Sequence, residues 1–249
     1  MIGRTVRVND LRVRYLSGGS EHNRVVVLLH GYGMSASVYQ RLGGLLSTGC
    51  RVIIPDLPGF GRSGKIKRAS FWRVAWLLSD FLEEIGISRA TLVAHSMGGG
   101  VAIEFSRLFP EKVAKLVLID SVGSPIRRSS LGWALAAIRK TWRSLYRPSA
   151  ATKIVAIFVL NCLTRPVWML KTFRMTVSCD LLEVLRQLKV QTYVVWAETD
   201  EYFPSCASIC SALSVEPIII EDAGHDWLIL DPLEASQIIG RLIKNVEIH

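Results

Sequence analysis

The sequence is short of cysteine. It has five in 249 residues, an odd number with no C-x-x-C pair among them. That pattern excludes a disulfide framework and a zinc ribbon, and it reads as reduced thiols in a cytosolic protein. Cys206 and Cys210 stand four apart, a spacing that suits one packed helix face. No apolar h-region lies between Met1 and Asn9, so no secretory signal is expected. The longest uncharged apolar run, Ile154 to Thr164, falls well below the roughly 20 residues that a spanning helix needs. The expected location is therefore cytoplasmic. There is no His-Glu-x-x-His, hence no case for a catalytic metal. Gly64-Lys65-Ile66 lacks the hydroxyl residue of a P-loop. Internal repeats and low-complexity tracts are also missing.

The formal charge is not spread evenly along the chain. Between Ser121 and Arg186 there are eleven Lys/Arg against two acids, Asp180 and Glu183, and this segment carries the whole formal charge of +9. The remainder is neutral. A generally basic nucleic-acid binder is thereby excluded, and the segment is marked as something apart.

What is present is a sizeable apolar fraction, 50%, in an alternating pattern. Thr5 to Val8 and Leu11 to Leu16, split by Asn9-Asp10, read as a hairpin. Val25 to Leu29 is a continuous β-branched and leucine run, as a parallel strand covered on both faces requires. Further strands are expected at Arg51–Ile54, Ala90–Ala94, Val113–Ile119, Thr192–Trp196 and Pro217–Ile220. Helices are expected at Ser37–Leu46, Phe71–Ile85, Val101–Leu108, from Pro204 to Leu213, and from Pro232 to Val246. From Ser121 to about Leu188 no convincing strand appears, only helical stretches punctuated by Pro125, Pro148 and Pro166. The fold class is α/β: a mostly parallel twisted sheet with helices on both faces. Residues 1–120 and 187–249 form the core, and 121–186 form a helical cap inserted above the carboxyl ends of the strands.

The chain is organised around Thr91-Leu92-Val93-Ala94-His95-Ser96-Met97-Gly98-Gly99-Gly100. An apolar strand ends abruptly at a serine, and a helix begins at once. A serine on such a turn is held in a strained conformation with its hydroxyl clear of the sheet, and the residues two before and two after it must be small. Ala94 and Gly98 meet that demand. A serine hydroxyl still needs a base, itself oriented by a carboxylate. His22 lies in an early loop and His249 is the last residue. His30 precedes the serine on an inner strand, and His95 should leave the turn in another direction. His225, in the loop directly after the last strand, remains. Asp200, just past the strand ending at Trp196-Ala197, reaches the same rim. Glu198 and Glu201 compete with it, and Asp120 is the main rival, whereas Asp222 and Asp226 are too close to His225 to reach its far nitrogen.

Taken together these motifs resemble the α/β-hydrolase fold superfamily, of the capped serine esterase and lipase type. The resemblance spans nearly all of the chain outside the insertion. It rests on His30-Gly31, the Asp56-Leu57-Pro58-Gly59-Phe60-Gly61 loop, the serine turn, Asp200 with Phe203-Pro204, and Gly224-His225. It implies a catalytic triad of Ser96, Asp200 and His225, in the superfamily's chain order. It also implies an oxyanion hole made by the backbone N–H groups of Tyr32 and Met97, with His30 and Gly31 supporting the loop. Ala94 replaces the commoner glycine, and Ala197-Glu198 and Gln191-Thr192 depart from frequent Gly-Glu and Pro-Thr pairs, but no catalytic atom is lost. Ser96 at the turn excludes an aspartate-dependent dehalogenase or epoxide hydrolase. Gly59-Phe60-Gly61-Arg62-Ser63-Gly64 matches a dinucleotide fingerprint by letter but opens no helix at once.

In the insertion, Leu131, Leu135, Ile138, Trp142, Leu145 and Tyr146 share one helical face, beside Arg139, Lys140, Arg143 and Arg147. This helix covers the site as a cap, or docks on an anionic membrane. The expected pocket wall is apolar: Trp133, Leu135, Ile138, Trp142 and Trp168. The expected activity is hydrolysis of hydrophobic or aromatic carboxylic esters, monoacylglycerol-like ones included, through an acyl-enzyme and without a cofactor or metal. The alternatives are a C–C hydrolase of vinylogous diketones, with the cap arginines holding a substrate carboxylate, and a low-turnover ligand receptor on the same scaffold. The expected partner is a small hydrophobic ester, with no nucleic acid.

Overall fold

The computed structural model describes residues 1–125, 132, 135–136 and 148–244, of which 148–151 are described by backbone alone. Eight strands form one sheet in the order β1-β2-β4-β3-β5-β6-β7-β8. They are β1 (Ile2–Val8), β2 (Leu11–Gly18), β3 (Val25–Leu29), β4 (Arg51–Pro55), β5 (Ala90–His95), β6 (Val113–Ile119), β7 (Thr192–Ala197) and β8 (Pro217–Ile220). The first two pair antiparallel through a two-residue turn in which Asn9 and Asp10 take φ of 46° and 63°. Positive φ at both positions matches the right-handed twist of the hairpin. β2 pairs antiparallel with β4, and every later pairing is parallel.

The parallel strands are apolar on both faces because both faces are covered. Val27 and Leu29 of β3, Leu92 of β5, Leu116 and Leu118 of β6 and Val194 of β7 pack into a cluster with α2 (Phe71–Glu84) and α3 (Met97–Leu108). The alternate residues Val26, Leu28, Val93, Val117, Ile119 and Val195 pack on α1 (Gln40–Leu46) and α9 (Pro232–Lys244). Period-two alternation thus feeds two cores rather than one core and solvent. Ser70 starts α2 by accepting the Arg73 N–H on its hydroxyl at 3.2 Å.

Several boundaries differ from expectation for local reasons. The segment before α1 is a 3₁₀ turn, Ala36–Tyr39, because the Ala36 N–H is held by Asp56 Oδ1 at 2.7 Å. The helix expected from Pro204 begins only at Ala207, as α7 (Ala207–Leu213). Upstream, the N–H groups of Tyr202 and Phe203 are directed to Asp200 instead. A short buried helix, α8 (Trp227–Leu230), was not foreseen, since its run of Trp-Leu-Ile-Leu has no amphipathic period. The described part of 121–186 carries α4 (Pro148–Thr164), α5 (Pro166–Val177) and α6 (Leu182–Arg186), with Pro148 and Pro166 opening the first two.

Candidate active site

The carboxyl ends of β5, β6, β7 and β8 lead to Ser96, Asp120, Asp200 and His225 respectively. Ser96 has φ 54° and ψ −122°, a conformation that L side chains rarely adopt. The strain is held from both sides. Its N–H donates to the Ile119 carbonyl at 3.0 Å, and its carbonyl accepts from Gly99 and Val122. Gly98 is required by close approach, since a Cβ there would lie 2.7 Å from the Leu29 carbonyl oxygen.

Three side chains meet in line. Ser96 Oγ lies 3.0 Å from His225 Nε2, and His225 Nδ1 lies 2.7 Å from Asp200 Oδ2. The other Asp200 oxygen accepts the N–H groups of Tyr202 (2.7 Å) and Phe203 (2.9 Å), which orients the carboxylate. An ionised Asp200 fixes the proton of His225 on Nδ1 and leaves Nε2 to accept from the serine. Burial pulls the imidazole pKa down, but the charge of Asp200 and its hydrogen bond, with Asp226 and Asp120 behind, raise it on balance above 6.5. The ring is clamped by Tyr202 and Phe203, with centroids 5.0 Å and 5.2 Å away.

The rival acids are occupied elsewhere. Asp120 is fully buried and accepts from the Ala197 N–H at 2.7 Å and from Trp227 Nε1 at 3.0 Å. Burial and the nearby Asp200 charge push its carboxyl well above the usual range. Glu201 accepts the His225 N–H at 3.0 Å and Glu198 accepts the Asp222 N–H at 3.0 Å, so both tie the histidine loop to the turn that follows β7. His95, Asp120 and His225 bring three ligand-type atoms within 4.8 Å of one another. Each already has a hydrogen-bond partner, so a cation there would have to break the network.

His95 leaves the turn away from the serine hydroxyl. Tyr39 accepts the Gly31 N–H (3.3 Å) and donates to His95 Nδ1 (2.7 Å), which leaves Nε2–H to donate to the His225 carbonyl at 2.9 Å. This Gly31–Tyr39–His95–His225 chain joins the loop after β3 to the histidine loop. His30 does related work: the Leu57 N–H donates to its Nε2 (2.9 Å), and Nδ1–H donates to the Gly31 carbonyl (2.9 Å). Its burial lowers the pKa, as this neutral, doubly bonded ring requires. Neither Tyr39 nor its bond was foreseen; an isolated tyrosine in a helical stretch carries no sequence signal for it.

A cavity of about 200 Å³ opens beside Ser96 and His225, walled by Tyr32, Met34, Phe158, Phe173 and Phe203. Of the expected pocket wall, Trp133, Ile138 and Trp142 lie outside the described residues. Leu135 is 48% exposed and does not line the cavity. Trp168 is buried, but its indole packs on Gly59, where a Cβ would come within 2.1 Å of Nε1. Among the described residues, the aromatic side chains that α4 and α5 bring to the pocket are Phe158 and Phe173, which sequence periodicity did not separate from their apolar neighbours. α4 and α5 also grip the loop after β3 that carries Tyr32 and Gly33. Asn161 Nδ2 donates to the Gly33 carbonyl (2.9 Å), Tyr32 Oη donates to the Met169 carbonyl (3.0 Å), and Arg165 donates to the carbonyls of Gly59 and Gly61. Gly59 and Gly61 therefore form a loop wrapped on Asp56, whose oxygens accept from Ala36 and Arg62. The dinucleotide spelling has no phosphate cradle behind it.

A model of the alpha/beta hydrolase family matches residues 26–236. A 2-hydroxy-6-oxononadienedioate/2-hydroxy-6-oxononatrienedioate hydrolase of Paraburkholderia phymatum is 30% identical over 227 residues, covering 78% of this chain and 77% of that protein. Lipase 1 of Psychrobacter immobilis is 27% identical over 235 residues, covering 85% and 74%. The crystal structure of a bacterial membrane phospholipase A superposes with a TM-score of 0.80 at 26% identity, covering 98% of this chain and 86% of that one.

Proposed function

The chain belongs to the α/β-hydrolase family, and on that premise we propose that this hydrolase cleaves carboxylic esters with a hydrophobic acyl or aromatic part, through an acyl-enzyme on Ser96. His225 takes the serine proton at Nε2 as Oγ attacks the ester carbonyl, and Asp200 stabilises the imidazolium that forms. The backbone N–H groups of Tyr32 and Met97 receive the developing oxyanion. Collapse of the tetrahedral species expels the alcohol, which takes the proton from His225, and water then repeats the cycle on the acyl group. Segment 121–186 acts as the cap, with α4 and α5 forming the ceiling of the pocket. The observation that supports the ester reading best is the wall chemistry: among the described residues lining the cavity, none is a Lys or Arg that could pair with a substrate carboxylate.

The second reading, C–C hydrolysis of a vinylogous diketone, is favoured by the similarity to the nonadienedioate hydrolase. A panel of nitrophenyl esters from acetate to palmitate, run beside a meta-cleavage dienoate, separates the two. We expect kcat/KM for the best ester to exceed that for the dienoate, with shorter acyl groups ahead of palmitate. The cavity lies below the roughly 300–1,000 Å³ typical of pockets that enclose drug-sized ligands. Turnover of the dienoate alone would reverse the assignment.

A further inference from the structure

The helix α4 is apolar on nearly every side: from Ile154 to Thr164 it contains no charged residue. Helices of that composition are normally enclosed, in a protein core or in lipid. This one is not. Val155 is 49% exposed, Val159 46%, Leu160 59% and Leu163 76%; across the bend in α5, Val167 is 65% and Leu170 51% exposed. The i, i+4, i+8 spacing of Val155, Val159 and Leu163 makes a ridge, and Val167 and Leu170 expose further apolar side chains just past the bend. Contiguous apolar surface of this kind marks a contact site.

The charges around the ridge identify what it contacts. Residues 148–177 contain Lys153, Arg165, Lys171 and Arg174 and no acid. Lys171 and Arg174 are exposed on α5. Beside Leu160, a cleft of about 410 Å³ is lined by Arg14, Arg62 and Arg165, with Asp56 as the only acid among its described lining residues. A protein partner complementary to this face would need an apolar groove rimmed with acids, whereas an anionic lipid surface presents that combination as a plane. No single described helix is long and apolar enough to cross a membrane, and the two helices meet at 113°. The pair therefore suits shallow insertion rather than spanning.

We propose that the α4–α5 ridge docks on an anionic lipid surface, apolar side chains among the acyl chains and basic residues at the headgroups. Phe158 belongs to both surfaces: it is 37% exposed and it lines the catalytic cavity. Docking therefore places the pocket mouth at the lipid boundary, where amphiphilic esters concentrate. The docking stands on the surface alone, and only the delivery of substrate rests on the esterase reading.

The test is sedimentation of the full chain with phosphatidylglycerol/phosphatidylcholine vesicles and with pure phosphatidylcholine vesicles, in low and high salt. The wild type is expected to bind the anionic vesicles in low salt and to be released by high salt. Leu163→Ser with Val167→Ser, and separately Lys171→Gln with Arg174→Gln, should each weaken binding roughly tenfold or more. Both pairs should keep wild-type turnover of a short soluble nitrophenyl ester, which shows that they fold. A wild type that ignores anionic vesicles in low salt, or variants that bind as well as it does, would overturn the proposal. So would a dimer in sedimentation velocity that both pairs dissolve, since the ridge would then belong to a second copy. A wild type that binds the anionic vesicles but turns over no nitrophenyl ester would count against the esterase reading and leave the docking standing.

Discussion

At the scale of single residues, the site separates two buried carboxylates by what their oxygens accept. Asp200 takes two backbone N–H groups on one oxygen and the imidazole on the other, so its carboxylate is oriented along the His225 ring. Asp120 spends one oxygen on a backbone N–H and the other on an indole. Asp200→Asn is expected to keep the fold and lower kcat by about 10⁴-fold, because the amide favours the wrong tautomer of His225. Asp120→Asn turns an N–H toward another N–H, so it should cost about 1–3 kcal/mol in stability with a far smaller loss of kcat. Urea unfolding and kcat on both variants check the contrast. The pH profile follows from the same geometry. His225 must be neutral to accept the serine proton, and its pKa lies above the ordinary 6.5 on balance. The acid limb of kcat/KM should therefore lie above that value, activity falling as pH drops through it. Asp200→Asn removes the raising charge and should move the limb to lower pH. Burial pushes Cys179 and Cys210 up to about 12 and Cys50 up to about 11, so these thiols stay protonated and take no part in nucleophilic chemistry at neutral pH.

At the scale of elements, the strands and the serine turn were legible because their signals are local. Continuous β-branched runs bounded by small residues read as doubly covered strands, and the bounds of β6 and β8 match expectation to the residue. Ser96, Asp200 and His225 follow strand ends, so chain order alone placed them on one rim. The acid could not be decided that way, since Asp120 also follows a strand; only the hydrogen bonds separate them. The pocket wall was least legible. α4 carries apolar residues on every side, so its sequence does not say which ones face the cavity, and Phe158 was passed over for Trp168. The grip of α4 on the loop that carries Tyr32 and Gly33 is also invisible in sequence, being one amide 128 residues from the carbonyl that it meets. Asn161 is thus a positioning residue. Asn161→Ala frees the Gly33 carbonyl and loosens the loop that carries Tyr32. We expect kcat to fall on the order of tenfold, within the 10²–10³ that a whole oxyanion donor contributes, with KM changing less. Asn161→Gln, which keeps an amide donor, should recover part of the loss.

At the scale of the molecule, the formal charge of +9 lies entirely between Ser121 and Arg186, and the described part of that segment contributes Phe158 and Phe173 to the cavity beside Ser96. Hydrogen bonds from Asn161, Arg165 and Tyr32 to the carbonyls of Gly33, Gly59, Gly61 and Met169 join that segment to the core. The central claim is that Ser96 is the nucleophile and that its reactivity comes from His225. Labelling the intact protein with a fluorophosphonate, and mapping the adduct by mass spectrometry, tests this most directly. The expected result is one adduct, on Ser96, absent in Ser96→Ala and slowed by about 10⁴-fold or more in His225→Ala, with the double variant no worse in turnover than either single one. An adduct on any other residue, or turnover by Ser96→Ala at the wild-type rate, would contradict the account.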